Sequence, residues 1–282
     1  MRRTPEVPGW EGRWRRMEDR CLFRLSGPDR VRFLNGQVTN DVAKLEPGES
    51  LAACLCSIKG KVEALVWIHQ CGEAILLDGE AAQREFLQAR LNRYLIADDC
   101  EIEDLTDDWV ILHHFDPSCG GVRSRRQVET GWDLLLPVGE EVPLSTDRQI
   151  PESEWALGEI QARIPRSGCE ITGNEFPSEL GLDAWAVDFH KGCYLGQEIV
   201  SRIRSVGRTK RQLAAILASE PLEQGDALVD HSGNRGRATR KTLKSGEKVF
   251  QGLALFEDDG VFTGSVDLQR VVTAKGVNIP PI

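Results

Sequence analysis

Apolar and polar residues alternate over Cys21-Leu22-Phe23-Arg24-Leu25, the period-2 pattern of a strand with one buried face. Leu51 to Cys56 and Lys61 to His69 also read as strands, and Ser57-Ile58-Lys59-Gly60 between them predicts a hairpin. Ala74 to Leu77, Trp109 to Leu112 and Trp132 to Leu136 add further strands. Elsewhere the period changes to 3.6. Residues 81–95 put Ala82, Phe86, Leu87, Leu91 and Leu95 on one side of a helix. Glu152 to Arg163 does the same with Trp155, Ala156, Leu157 and Ile160, and Ile164-Pro165 ends it. A shorter helix opens near Pro28, offers Val31, Phe33 and Leu34, and is expected to break at Asn35-Gly36. Residues 1–20 read as a lead-in strand or arm. The acidic run Asp98 to Asp108 reads as a solvated connection, and Arg123, Arg125 and Arg126 as an exposed loop.

Beyond residue 212 the apolar runs shorten: Gln212 to Ala218, Ala227 to Val229, Arg237 to Thr239, Val249 to Phe256 and Val266 to Val272. Clusters of Gly, Pro, Asp, Asn and Ser separate them, which predicts a small barrel or sandwich. The fold class expected is α+β. The chain divides into residues 1–150, 151–207 and 208–282.

One stretch concentrates chemistry: Lys191-Gly-Cys-Tyr-Leu-Gly-Gln-Glu-Ile-Val-Ser-Arg202. The apolar run Ala184 to Phe189 before it reads as a strand, and the segment after Gly196 as a helix with Ile199 and Ile203 on one face. Cys193 then lies in a strand-to-helix turn near the positive end of that helix. Such a place lowers a thiol pKa, and Lys191 pushes the same way. The plain alternative is a small buried apolar residue, the commonest fate of a lone cysteine. Glu198 and Arg202 are spaced to pair on the helix surface; Arg202 could instead serve an anion. The polar run Gln37-Val-Thr-Asn40-Asp41 is either a capped turn or the lining of a pocket.

Composition narrows the partners. The 282 residues carry a net charge of −9, which argues against general coating of nucleic acid or anionic membrane. Against that background, Lys191, Arg202, Arg204, Arg208, Lys210 and Arg211 make a local basic patch, either solvated or a site for phosphate, polyglutamate or RNA backbone. Tyr194 is the one aromatic close by, so direct RNA readout is not expected. No run approaches the ~20 apolar residues of a membrane helix. The eight cysteines lack any C-x-x-C pair, no export signal is visible, and the five histidines show no metal-ligand spacing. Free thiols in a reducing cytoplasm, without structural zinc, are the expectation.

The Lys191–Arg202 motif resembles the signature of the YgfZ family of folate-binding proteins, K-G-C-[YF]-x-G-Q-E-x-x-x-R, at every fixed position. Leu25 to Asp41 and Cys56 to Val62 are similar to that family's N-terminal blocks, and the likeness runs from about residue 20 to 275. The resemblance implies the fold of the glycine cleavage T protein, a tetrahydrofolate-dependent aminomethyltransferase. That fold has α+β lobes around a central folate channel and a C-terminal β-barrel. Residues 1–150 and 151–207 would then form the folate-binding region and 208–282 the barrel. The role implied is assembly or repair of iron–sulfur enzymes, including tRNA-thiolating ones, with those client enzymes as partners.

By the same resemblance Cys193 is the reactive group with Lys191 beside it. Asn40, Lys59, Glu63, Arg163, Tyr194, Gln197, Glu198 and Arg202 are the candidates to surround tetrahydrofolate or a one-carbon derivative. Arg163 is the candidate for a folate carboxylate. The T protein's paired aspartates become Glu63-Ala64, its K-G-D-F-x-G-R-E becomes Lys191 to Glu198 with cysteine for aspartate and glutamine for arginine, and its glycine-rich acidic block shrinks to Thr130-Gly131-Trp132-Asp133. Aminomethyl transfer is therefore the second reading, and a non-catalytic folate-binding scaffold the third.

Overall fold

The computed structural model describes residues 9–207, 209–230, 233–246 and 249–257, with the backbone of 269–274, and these described residues form three antiparallel-rich sheets and four α-helices. The first sheet holds β2 (Arg20–Ser26), β3 (Ser50–Cys56), β4 (Val62–Cys71), β5 (Ala74–Glu80) and β6 (Glu101–Asp104), in the order β3-β4-β5-β2-β6. The second holds β1 (Trp14–Arg16), β7 (Trp109–His114), β8 (Val122–Ser124) and β9 (Gly131–Pro137), in the order β1-β7-β9-β8.

Alternation assigns the two faces of the first sheet to different cores. Phe23, Leu25, Ala53, Leu55, Val66 and Leu77 meet α1 (Arg30–Gln37) and α2 (Arg84–Tyr94) through Phe33, Leu34, Leu87 and Leu91. Ala52, Cys54, Cys56, Leu65 and Trp67 face the other way. There they meet Ile160 of α3 (Glu152–Ala162), Val200 of α4 (Gln197–Val206) and the loop residues Ile171, Leu180, Leu182 and Ala186. Leu213 and Ala215 of β10 (Arg211–Ala218) and Leu253 of a later strand complete this core. β10 is buried on both faces, because Ala214, Ile216 and Ala218 line a separate core.

The C-terminal sheet adds β11 (Ala227–Asp230), β12 (Arg235–Ala238), β13 (Leu243–Gly246), β14 (Val249–Glu257) and β15 (Gln269–Ala274). Its order is β10-β15-β11-β12-β14-β13, and it curls until β14 also pairs β10 along Arg211–Ala218. Of the expected strand Val266 to Val272, residues 266–268 lie outside the described residues. β13 was not anticipated by the pattern.

The pattern misplaced other pieces. α1 does not break at Asn35-Gly36 but runs to Gln37. The acidic run is not a free connection: β6 pairs β2 at the sheet edge, and Arg84 holds Asp104 at 2.7 Å and Asp107 at 2.8 Å. Charged side chains on an edge strand also discourage pairing with other chains. Phe86 is 39% exposed, because α2 turns Leu87, Arg90 and Leu91 inward instead. Arg90 takes the inner place by donating to Gln37 Oε1 at 2.8 Å. Ala184 to Phe189 is a short 3₁₀ turn and irregular chain, not a strand.

Arg126 corrects the reading of an exposed arginine loop most sharply. It is 2% exposed and joins the first two sheets. Its Nη2 lies 2.7 Å from Asp78 of β5 and its Nε 2.8 Å from Asp133 of β9. Arg20 also reaches Asp78, while His69 and His113 bond Asp78 and Asp133 at 2.6 and 2.7 Å. Both guanidinium groups lie over the indole of Trp67, 4.9 Å from its centroid for Arg20 and 4.8 Å for Arg126. Burial alone would raise Asp78, but Arg126 and Arg20 outweigh it and hold the carboxyl well below its usual range. Asp133 is held low in the same way, by Arg126 and His113 against burial.

Arg126→Met should therefore remove about 3–5 kcal/mol of stability in urea denaturation at neutral pH, since it strands two buried carboxylates. The same carboxylates bind protons more readily when unfolded. Wild-type stability should be steady at neutral pH and fall below about pH 4, where the unfolded chain protonates first.

Candidate functional site

α1 ends with carbonyls that have no partner inside the helix, at the negative end of its dipole. The motif supplies those partners. Lys191 Nζ donates to Asn35 O, Val38 O and Asn40 O, each at 2.7 Å, and Leu195 N donates to Gly36 O at 3.2 Å. All three ammonium hydrogens are used, and Lys191 is buried. Burial lowers its pKa to about 8, against the opposing pull of Asp41 and Asp188. The expected partner of the Cys193 thiol is thus committed to three backbone oxygens, and it fixes the turn that carries the thiol.

The other end of the turn is locked by close backbone approach. Gly196 starts α4 at φ +85°, and a Cβ there would lie 2.4 Å from Ser57 O. Gly60 at φ +70° lies under Ile199, with a Cβ position 3.0 Å from Ile199 Cβ. The hairpin turn of β3–β4 and the start of α4 therefore touch through two glycines. Cys193 is exposed between these two anchors, and so are Ile58 and Lys59 on the hairpin turn. Glu198 and Arg202 form a 2.7 Å surface pair, the bland one of their two readings.

Tyr194 points inward. Its ring lies 5.2 Å from Lys191 Nζ, and its buried hydroxyl has no hydrogen-bond partner among the described residues. Burial beside Cys56 and Cys54 raises its pKa. Cys54 is pushed up to about 12 by burial, with the Thr39 hydroxyl opposing. Asn40 Nδ2 donates to Ala52 O at 2.8 Å and Trp185 O at 3.5 Å. Trp185 packs on Trp67, 6.5 Å between centroids, and under Arg125, 5.6 Å from its guanidinium. Asp183 interacts electrostatically with Cys54, and burial raises its own carboxyl pKa. Asn40 bridges Ala52 of β3 to Trp185, and Tyr194 and Asp183 lie within electrostatic reach of the Cys54–Cys56 end of the strand. Four residues of strand span about 14 Å.

Arg163 caps α3 in the left-handed conformation, φ 54° and ψ 45°, alone among described non-glycine residues in having positive φ. Its half-buried guanidinium makes no hydrogen bond or ion pair among the described residues, and burial and Arg125 lower its pKa. Glu63 does not join this group. It is an extra residue bulged out of β4, since Leu55 pairs Ala64 and Cys56 pairs Val62, and it faces Arg90 at 3.5 Å. Asp133, from the reduced acidic block, is spent on Arg126. Gln197 is half-buried at the start of α4. Sequence reasoning missed Arg125, Asp183 and Trp185. No local pattern marks them: Asp183 and Trp185 meet Cys54 and Trp67 more than a hundred positions away, and Arg125 meets Trp185 sixty positions on.

A groove of about 610 Å³ between Arg24, Pro28, Arg30 and Cys71 lies apart from these residues. Among the described residues no helix is long and apolar enough to cross a membrane.

Gly196→Ala should lower the melting temperature, and Gly192→Ala should leave it nearly unchanged, because a Cβ at Gly192 meets nothing within 4 Å. The first change meets both backbone strain and a carbonyl, so a loss above about 1 kcal/mol is expected. Lys191 gives a pH test. Its folded pKa of about 8 lies below the ordinary 10.5, so the unfolded chain keeps a proton that the folded chain releases. Measured by denaturation, wild-type stability relative to Lys191→Met should rise between about pH 8 and 10.5. A flat difference over that range would mean that the three carbonyls offset the lowering by burial.

No family model matches the chain. It is 30% identical over 198 residues to an uncharacterized protein of Haemophilus influenzae, covering 68% of this chain and 69% of that one. It is 29% identical over 222 residues to the tRNA-modifying protein YgfZ of Vibrio atlanticus, covering 71% and 68%. It is 28% identical over 261 residues to a mitochondrial iron–sulfur cluster assembly factor IBA57 homolog of Pyricularia oryzae, covering 82% and 67%. The glycine cleavage system aminomethyltransferase T of Bartonella henselae superposes with a TM-score of 0.73 over 88% of this chain and 79% of that one, at 19% identity, a likeness of fold. With the K-G-C-Y-x-G-Q-E motif intact on a T-protein fold, the chain is a homologue of the tRNA-modifying YgfZ proteins over most of its length.

Proposed function

We propose that this protein binds tetrahydrofolate and serves the assembly or repair of iron–sulfur enzymes, including tRNA-thiolating ones, through Cys193. The observation that carries the folate half is Arg163. A half-buried guanidinium without a counter-charge among the described residues, held in a costly backbone conformation, asks for an anionic ligand. The names of the relatives, a tRNA-modifying protein and an iron–sulfur cluster assembly factor, support the client half.

The residues along β3 suit an elongated ligand with a polar ring system at one end and carboxylates at the other. Arg163 would take a carboxylate. Trp185 would offer a stacking face, and Asp183 and Tyr194 Oη hydrogen bonds to a donor-rich ring. Asn40 keeps the backbone of residues 52 and 185 in place for this. Tetrahydrofolate, when bound, supplies a carrier for one-carbon units. Lys59, Gln197, Glu198 and Arg202 would frame the mouth near Cys193 rather than hold the ring. The exposed thiol can take up a one-carbon unit or a sulfur species, or hold a client's cluster transiently.

Aminomethyl transfer is disfavoured by the same geometry: Ala64 is fully buried in the α1–α2 core, and Glu63 is turned to Arg90. Neither offers the paired carboxylates of that chemistry.

Calorimetry should show tetrahydrofolate binding to the wild type and at least roughly tenfold weaker binding to Arg163→Ala, the loss of one charge-assisted pair. Cys193→Ala should bind folate normally yet fail to restore iron–sulfur enzyme activity in cells lacking the protein. Full restoration by Cys193→Ala would remove the thiol from the mechanism.

A further inference from the structure

We propose that the groove between the end of β2, the start of α1 and the β4–β5 turn is a second ligand site, which takes a small organic phosphate. It is separate from the folate reading and does not depend on it.

The groove has a volume of about 610 Å³ and is lined by Arg24, Ser26, Pro28, Arg30, Cys71 and Glu73. That volume suits a metabolite, since small-molecule pockets run from about 300 to 1,000 Å³. Strand β4 separates it from the motif. Val62 follows the hairpin turn that touches Gly196, and Cys71 ends the same strand at the groove. Its ten residues span roughly 30 Å. Strand pairing holds the two walls together: Leu25 lies opposite Ile75, and Cys71 opposite Ala74. Gly27 turns the chain at φ +96°, where a Cβ would lie 2.5 Å from Asp99 O.

Two guanidinium groups reach this space from different elements. Arg30 Nη1 donates to Gly27 O at 3.0 Å, which holds the side chain across the turn. Its Nε is buried without a hydrogen-bond partner, and Arg30 forms no ion pair among the described residues. Arg24 is tied to Glu103 by an exposed pair, a kind that contributes little and yields to a better partner. Asp29 and Asp98, beside α1, are engaged: each lies 2.9 Å from Arg32, and Asp29 also accepts from Asp99 N. Against two cations the lining holds one carboxylate, Glu73, exposed at the turn. A phosphate monoester brings a charge of about −1.5 to −2 and three acceptor oxygens. Those oxygens can meet Arg30 Nε, Arg24 and the Ser26 hydroxyl together, whereas a single carboxylate offers two. Pro28, Ala74 and the Cys71 side chain bound the space left for the organic part.

Cys71 supplies the readout, because its thiol is exposed in the groove. The full chain is alkylated with iodoacetamide, and the Cys71 and Cys193 peptides are followed by mass spectrometry. The arms contain inorganic phosphate, glycerol 3-phosphate or succinate at matched ionic strength. Both phosphates, at about four times their dissociation constants or above, should slow Cys71 alkylation roughly fivefold or more and leave Cys193 unchanged, with glycerol 3-phosphate acting at lower concentration. Arg30→Gln should lose the protection, and so should Arg24→Gln, at an exposed position that folding tolerates. Glu73→Gln should strengthen it by removing the opposing charge. Unprotected Cys71 in a wild type with a normal melting curve overturns the site, as does protection that persists in both arginine variants. Equal protection by succinate, or protection lost in Glu73→Gln, overturns the assignment to phosphate.

Discussion

The ammonium of Lys191 among the carbonyls of Asn35, Val38 and Asn40 is the contact on which the geometry of the motif depends. A helix C-terminus buried without partners is costly, and so is a buried ammonium without acceptors. Each removes the cost of the other. The contact spans over 150 residues of sequence and draws α1, the Asn40 loop and the Cys193 turn into one unit. It also explains why α1 continues past Asn35-Gly36. The carbonyls exposed there by the weak helix former are met by Lys191 and by Leu195 N, so the last turn is held from outside rather than by its own propensity.

A second tier of charges sets the lobes around that unit. Arg126, Asp78, Asp133, Arg20, His69 and His113 fasten the second sheet to the first. Arg211 of β10 fastens the C-terminal sheet to the loop of Glu175 and Glu179, and donates to Asn174 O at 2.7 Å. Lys61 reaches the same carbonyl oxygen at 2.8 Å from the β3–β4 hairpin. Buried ion pairs contribute little net stability but penalise any arrangement that separates them. Here they fix the registration of three sheets, and with it the alignment of Trp67, Trp185 and Arg125 across sheet boundaries.

Local pattern carried most elements: the β3–β4 hairpin, α2, α3 and the runs of β10 and β14 stand where period 2 and period 3.6 put them. What failed did so for tertiary reasons. Ala184 to Phe189 is apolar enough for a strand, yet Thr39 Oγ1 donates to Ala186 O at 2.6 Å, and the described residues give this segment no ladder partner. Arg126 sits in a run that composition marks as surface, and only Asp78 and Asp133, 48 and 7 positions away, make its burial possible. The motif announced its thiol and its glycines. That Lys191 serves backbone oxygens could not be read from spacing, because the acceptors lie in a helix end far upstream.

The cysteines argue for a division of labour within the candidate site. Cys54 and Cys56 are fully buried with thiol pKa values raised by burial, so they remain protonated, apolar lining beneath Tyr194. Cys193 is one residue from Tyr194 yet exposed. The reversal follows from the turn itself: Lys191 and Tyr194 point into the core, and Gly192 and Cys193 between them are pushed outward. A thiol held at the surface by two buried neighbours is accessible, while the interior behind Tyr194 is lined by the protonated thiols of Cys54 and Cys56. The turn sets an exposed thiol and a buried phenol on opposite sides within four residues. A change in what lies against Tyr194 inside would have a direct mechanical route to Cys193 outside.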